Sequence, residues 1–78
     1  MFKVDWKYFV ESVGWGEEYS FDYNGEEYWI SQNKEGRYLT RSRDSYTQDF
    51  ETVEELFANG RIEGKTIAEI WGDINDQI

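Results

Sequence analysis

The chain contains no cysteine, no histidine and no proline, and its cations are few. Without cysteine there is neither a disulfide framework nor a thiolate metal site. Without histidine the commonest general base, the commonest metal ligand and the near-neutral pH switch are lost together. No stretch approaches the roughly 18 apolar residues that a membrane span needs. The opening residues, Met1-Phe2-Lys3-Val4-Asp5, place no apolar run after the lysine, which argues against a signal peptide. Small secreted domains commonly carry disulfides, so a cytoplasmic location is the expectation.

The charge is lopsided: 8 Lys and Arg stand against 17 Asp and Glu, a net charge of −9 on 78 residues. Such a chain is repelled by phosphate backbones and anionic lipid. Direct nucleic-acid and membrane binding are therefore not expected. The charge serves solubility, or it serves a basic protein partner.

The length suits one domain, residues 1–78. A domain this small buries a modest share of its surface, so each large side chain matters. Aromatics answer that need: 4 Trp, 6 Tyr and 5 Phe make up 19% of the chain. A buried ring removes roughly 150–250 Å² from water.

Trp6, Phe9, Val10 and Val13 fall at i, i+3, i+4 and i+7, one stripe of a helix. Asp5 is placed to cap it, and Gly14 and Gly16 to end it. Phe2, Val4, Trp6, Tyr8 and Val10 also alternate as a strand would, but Phe9 breaks that alternation and the helix is preferred. Next, Tyr19-Ser20-Phe21-Asp22-Tyr23 alternates apolar and polar up to Asn24-Gly25, a pair suited to the positive φ angles of a type I′ turn. A two-residue turn then pairs Phe21 with Tyr28, Ser20 with Trp29 and Asp22 with Glu27. This register places Tyr19, Phe21, Tyr28 and Ile30 on the core face. Asn33-Lys34-Glu35-Gly36 reads as another turn, Arg37 to Arg43 as a third strand, Asp44-Ser45 as a turn, and Tyr46 to Phe50 as a fourth strand. No connection is long enough for a parallel crossover, so the sheet is an antiparallel meander.

The rest reads as helical. Thr52-Val53-Glu54-Glu55 and Thr66-Ile67-Ala68-Glu69 both fit capping boxes. Val53, Leu56 and Phe57 give one apolar stripe, closed by Asn59-Gly60. Ile67, Ile70, Trp71 and Ile74 give another, joined to the first by the short linker Arg61 to Lys65. The predicted core is Phe9, Val13, Tyr19, Phe21, Tyr28, Ile30, Leu56, Phe57, Ile67, Ile70 and Trp71.

The runs Phe21-Asp22-Tyr23-Asn24-Gly25 through Tyr28-Trp29-Ile30, Tyr46-Thr47-Gln48-Asp49-Phe50, and Arg61-Ile62-Glu63-Gly64-Lys65-Thr66-Ile67-Ala68-Glu69-Ile70-Trp71 resemble small uncharacterised acidic proteins of Gram-positive bacteria and their mobile elements. The resemblance covers most of the chain from Tyr19 onward. It implies a bacterial origin and carries over no activity and no functional residue.

Chemistry-bearing patterns are sparse. Asp73-Ile74-Asn75-Asp76 lacks the glycine and distal glutamate of a calcium loop. Gly60, Gly64 and Lys65 miss the phosphate-loop spacing. A serine or threonine nucleophile would have only carboxylates and lysines as bases. An enzyme is therefore not expected, nor is a metal or cofactor. Arg37, Arg41 and Arg43, with Tyr38 and Tyr46 nearby, form a basic and aromatic group of the kind that contacts single-stranded nucleic acid, but the net charge and the hairpin acids favour the reading that they neutralise the neighbouring acidic strands. The hairpin is more informative. Asp22 opposes Glu27, an unfavourable like-charge pair, and Trp29 shares their face with Glu18 nearby. An indole framed by carboxylates suits an Arg- or Lys-bearing partner. The same residues would also occur together if the acids were merely solvated near a turn tip, or if the N-terminal helix or Arg41 covered Trp29.

The expectation is an α+β fold: an N-terminal helix, a four-stranded antiparallel meander, and two C-terminal helices on one sheet face. The expected function is that of a non-enzymatic accessory protein. It would bind a basic macromolecule through an acidic sheet face, with Glu18, Asp22, Glu27 and Trp29 as contacts. The alternatives are a nucleic-acid mimic that blocks a basic DNA- or RNA-binding protein, and a structural homodimer.

Overall fold

A computed structural model describes residues 5–78. Phe2 and Val4, which entered the strand alternative for the N-terminus, lie outside the described residues. Helix α1 spans Trp6–Trp15. Asp5, in extended conformation, caps it by accepting from the Tyr8 amide at 2.8 Å. The helix passes through Gly14 and stops at Gly16, the second of the two glycines expected to end it. With φ at 109°, Gly16 takes the left-handed conformation that closes a helix. The freed carbonyls find partners. Ser12 accepts from Glu17 at 3.0 Å, and Val13 accepts from the Gln32 side chain at 2.7 Å.

Four antiparallel strands follow in sequential order: β1 (Tyr19–Tyr23), β2 (Glu26–Asn33), β3 (Gly36–Arg41) and β4 (Tyr46–Phe50). The first hairpin has the predicted register, with Tyr19 opposite Ile30, Phe21 opposite Tyr28 and Asp22 opposite Glu27. Asn24 and Gly25 both have positive φ, 51° and 80°, as a type I′ turn requires. The third strand stops at Arg41, earlier than the predicted Arg43. Ser42 to Ser45 form the loop instead, with Ser45 at a φ of 58°.

Helix α2 covers Val53–Asn59 and is capped as its sequence predicts, Thr52 accepting from the Glu55 amide at 3.1 Å. The predicted linker is itself structured. Ile62 and Lys65 exchange backbone hydrogen bonds of 2.8 and 2.9 Å around Glu63 and Gly64, both at positive φ. This second tight hairpin buries Ile62. The final helical segment is broken: a 3₁₀ turn at Ala68–Ile70, a short α3 at Trp71–Ile74, and another 3₁₀ turn at Asn75–Gln77. The Thr66–Glu69 capping box is present, with reciprocal bonds of 2.8 and 3.2 Å.

All of these helices pack on one face of the sheet. Phe9 is sealed among the rings of Trp6, Tyr19, Phe57 and Trp71, with centroids 4.9–5.8 Å away. Phe21, Tyr23, Tyr28, Ile30 and Leu39 from the sheet meet Val13, Leu56, Ile62, Ile67, Ile70 and Ile74. Three predicted core residues, Tyr19, Phe57 and Trp71, are only partly buried; they wall the core rather than fill it. Tyr23, Leu39, Ile62 and Ile74 join the core unpredicted. The buried polar Ser12 is satisfied: it donates to the Phe9 carbonyl at 2.9 Å and shares a 2.7 Å bond with the Tyr19 hydroxyl. Among the described residues no helix is long and apolar enough to cross a membrane.

Candidate acidic interaction face

Because the helices lie on one side, every second strand residue faces away from them. The paired registers place Ser20, Asp22, Glu27, Trp29, Ser31, Asn33, Tyr38, Thr40, Thr47 and Asp49 on this outer face. All are exposed or partly exposed, and no described element covers them. The face carries the carboxylates of Asp22, Glu27 and Asp49 and no Lys or Arg. The arginines of the neighbouring strand, Arg37 and Arg41, point to the helix side, as their pairing with Gln32 and Tyr28 dictates.

Three of the four predicted contact residues come together here. Asp22 and Glu27 are direct cross-strand partners, and Trp29 follows Glu27 by two positions on the same face. Trp29 remains 45% exposed. Its indole N–H donates to Ser42 Oγ at 3.1 Å, and Ser42 Oγ donates to Glu27 Oε1 at 2.9 Å. That relay fixes the ring and holds the Glu27 carboxylate beside it. Glu18 is apart: it is exposed in the connection before β1 and belongs to no strand.

The arginines divide. Arg41 forms a two-pronged pair with Asp44 at 2.7 and 3.0 Å. It lies over the Tyr46 ring, 5.3 Å from its centroid, and so leaves Trp29 uncovered. The guanidinium holds the Asp44 carboxyl at about 2, well below the ordinary range. Arg43 pairs with Glu26 at 3.3 Å. Arg37 Nε is buried without a hydrogen-bond partner beside a cleft of about 420 Å³. Glu11, Glu51 and Glu54 also line that cleft. Three carboxylates against one guanidinium leave the cleft unsuited to an anion. Burial pushes the Tyr28 hydroxyl up, with Glu63 adding to the effect.

Several features of the surface escape the residue pattern. Asp49 and Thr47 join it through the β3–β4 register, and Thr47 Oγ1 bonds Thr40 Oγ1 at 3.0 Å. Tyr38 joins with its hydroxyl donating to Asn33 Oδ1 at 3.0 Å. A groove of about 500 Å³ at the end of β4 is walled by Glu35, Asp49, Glu51 and Glu55, with Tyr38. A second exposed indole, Trp15 (66% exposed), meets the Tyr8 ring edge-on at 5.6 Å on α1. No metal-holding group of three or more carboxylates is found among the described residues.

No family model matches the chain, and no curated protein or solved structure is found to be similar to it.

Proposed function

We propose that this chain is a non-enzymatic, cytoplasmic accessory protein that binds a basic macromolecular partner through the outer face of its sheet. One observation carries the reading. Asp22 and Glu27 oppose each other beside the exposed Trp29, on a face without a cation among its strand positions. Like charges directly opposed on a strand pair are destabilising. A Lys or Arg from a partner relieves that repulsion, and its cation also meets the indole. A cation–π contact contributes about 0.5–2 kcal/mol and an exposed ion pair about 0.2–1 kcal/mol. No single contact therefore gives useful affinity, and the partner must present several cations at once.

Affinity capture at low and high salt, followed by mass spectrometry, tests this reading. The native protein is compared with Trp29→Ala and Asp22→Asn. A basic protein held by the native chain, released by salt and lost from both variants is the expected result. Capture indifferent to both substitutions contradicts it. Competition by duplex DNA narrows the partner to a nucleic-acid-binding protein.

A further inference from the structure

We infer that the free edge of β4 receives an extended, cation-bearing segment of the partner as a fifth strand; this rests on the reading above and specifies how the partner docks. The argument starts from the ladder. The Ser42 amide donates to the Glu27 carbonyl at 2.9 Å, so Glu27 and Ser42 form a hydrogen-bonded pair. Such pairs alternate along an antiparallel ladder. Tyr38 and Thr40 therefore spend their backbone groups on β2, while Arg37, Leu39 and Arg41 bond to Phe50, Gln48 and Tyr46. Thr47 and Asp49 are left with N–H and C=O directed out of the sheet. The strand order makes β4 an edge.

The two edges are treated differently. On β1, the Gln77 side chain occupies both backbone groups of Asp22, at 2.7 and 2.8 Å. Only Ser20 remains open within that strand. On β4 two successive outward residues are open, enough for a short ladder. Edge strands are commonly protected by lysine, proline or a bulge; β4, Tyr-Thr-Gln-Asp-Phe, has neither lysine nor proline and pairs with β3 without a bulge. Its charge comes from Asp49, with Glu51, Glu35 and Glu55 around the adjoining groove. Negative charge repels a second copy of this chain, whose net charge is also −9. It attracts a cationic strand. A strand added at about 4.8 Å presents every second side chain to the outer face, so lysine or arginine at alternate positions meets Asp49 and the groove carboxylates.

The test uses a short synthetic peptide alternating lysine with threonine, and residue-resolved amide hydrogen exchange on the full chain. Exchange at Thr47 and Asp49 is expected to slow by about tenfold or more on saturation, with Ser20 unchanged. Thr47→Pro removes an outward N–H that the sheet does not use and is expected to weaken the peptide by about tenfold. Peptide binding that shifts Asp22, Glu27 and Trp29 signals but leaves Thr47 and Asp49 exchanging freely overturns the edge inference and leaves the face reading standing. Protection at Thr47 and Asp49 that is indifferent to Trp29→Ala and Asp22→Asn does the reverse. No binding at low salt overturns both. Protection without peptide, accompanied by a doubled elution mass, identifies a second copy as the occupant and overturns the inference.

Discussion

Gln77 closes on the backbone of Asp22 as a neighbouring strand would, its amide accepting from the Asp22 N–H at 2.7 Å and donating to the Asp22 carbonyl at 2.8 Å. A side chain near the end of the chain thereby finishes the edge of the first strand. Gln48 does the same for Arg61, with bonds of 2.9 and 2.7 Å.

Gln77→Ala should open the β1 edge. A hydrogen bond of this kind contributes about 0.5–1.5 kcal/mol, which is the loss expected per bond, with faster amide exchange at Asp22. Unchanged exchange there would mean the pairing is not held in solution.

Two glycines should respond in opposite directions. A Cβ at Gly36 would lie 2.7 Å from the Phe50 carbonyl oxygen, a backbone atom that cannot step aside. Gly36→Ala is expected to lose about 1–3 kcal/mol. Gly72 lies within α3, where a Cβ meets nothing within 4 Å. Gly72→Ala is expected to gain about 0.5–1 kcal/mol. Thermal unfolding of both variants checks the pair.

Phe9 carries the aromatic cluster, and Phe9→Ala should remove about 3–5 kcal/mol. Domains of this length hold about 4–12 kcal/mol in total. The variant should therefore unfold at a much lower denaturant concentration than the native chain.

Acidification probes the caps. The Thr66 backbone amide holds the Glu69 carboxyl below its ordinary value of 4.5. The folded state thus takes up this proton less readily than the unfolded chain. The stability from Glu69 is present above the ordinary value and is lost as pH falls through the lower, folded one. Protonating the other carboxylates relieves repulsion within a chain of net charge −9, which acts in the opposite sense. The informative quantity is the difference between native protein and Glu69→Gln, which should shrink on acidification below about pH 4.5. A difference that is flat with pH would contradict the assignment.

What the sequence shows and what it hides separates along chain distance. The first hairpin is legible because turn chemistry at Asn24-Gly25 and the burial of Phe21 and Tyr28 agree within a few residues. Both capping boxes are legible for the same reason. The Glu63-Gly64 turn is hidden because a glutamate at a φ of 52° defies its own preference. Ile62 is buried as a result. The composition of the outer face depends on which side the helices choose and on the register across the Ser42–Ser45 loop. Asp22, Glu27 and Trp29 are within reach of local reasoning, whereas Thr47 and Asp49 are placed by pairing through β3. Residue types alone would allow Arg41 over Trp29; strand parity puts it over Tyr46. Gln77 and Asp22 are 55 residues apart, and nothing in their local sequence links them.

The most direct test is a backbone and indole amide shift map of the native chain, recorded while a lysine- and arginine-bearing peptide is added at low salt. The indole N–H of Trp29 and the amides of Asp22, Glu27 and Asp49 should move together, and added salt should reverse the movement. Shifts confined to the helical side, or none at all, would show that the carboxylates around Trp29 serve only to meet water.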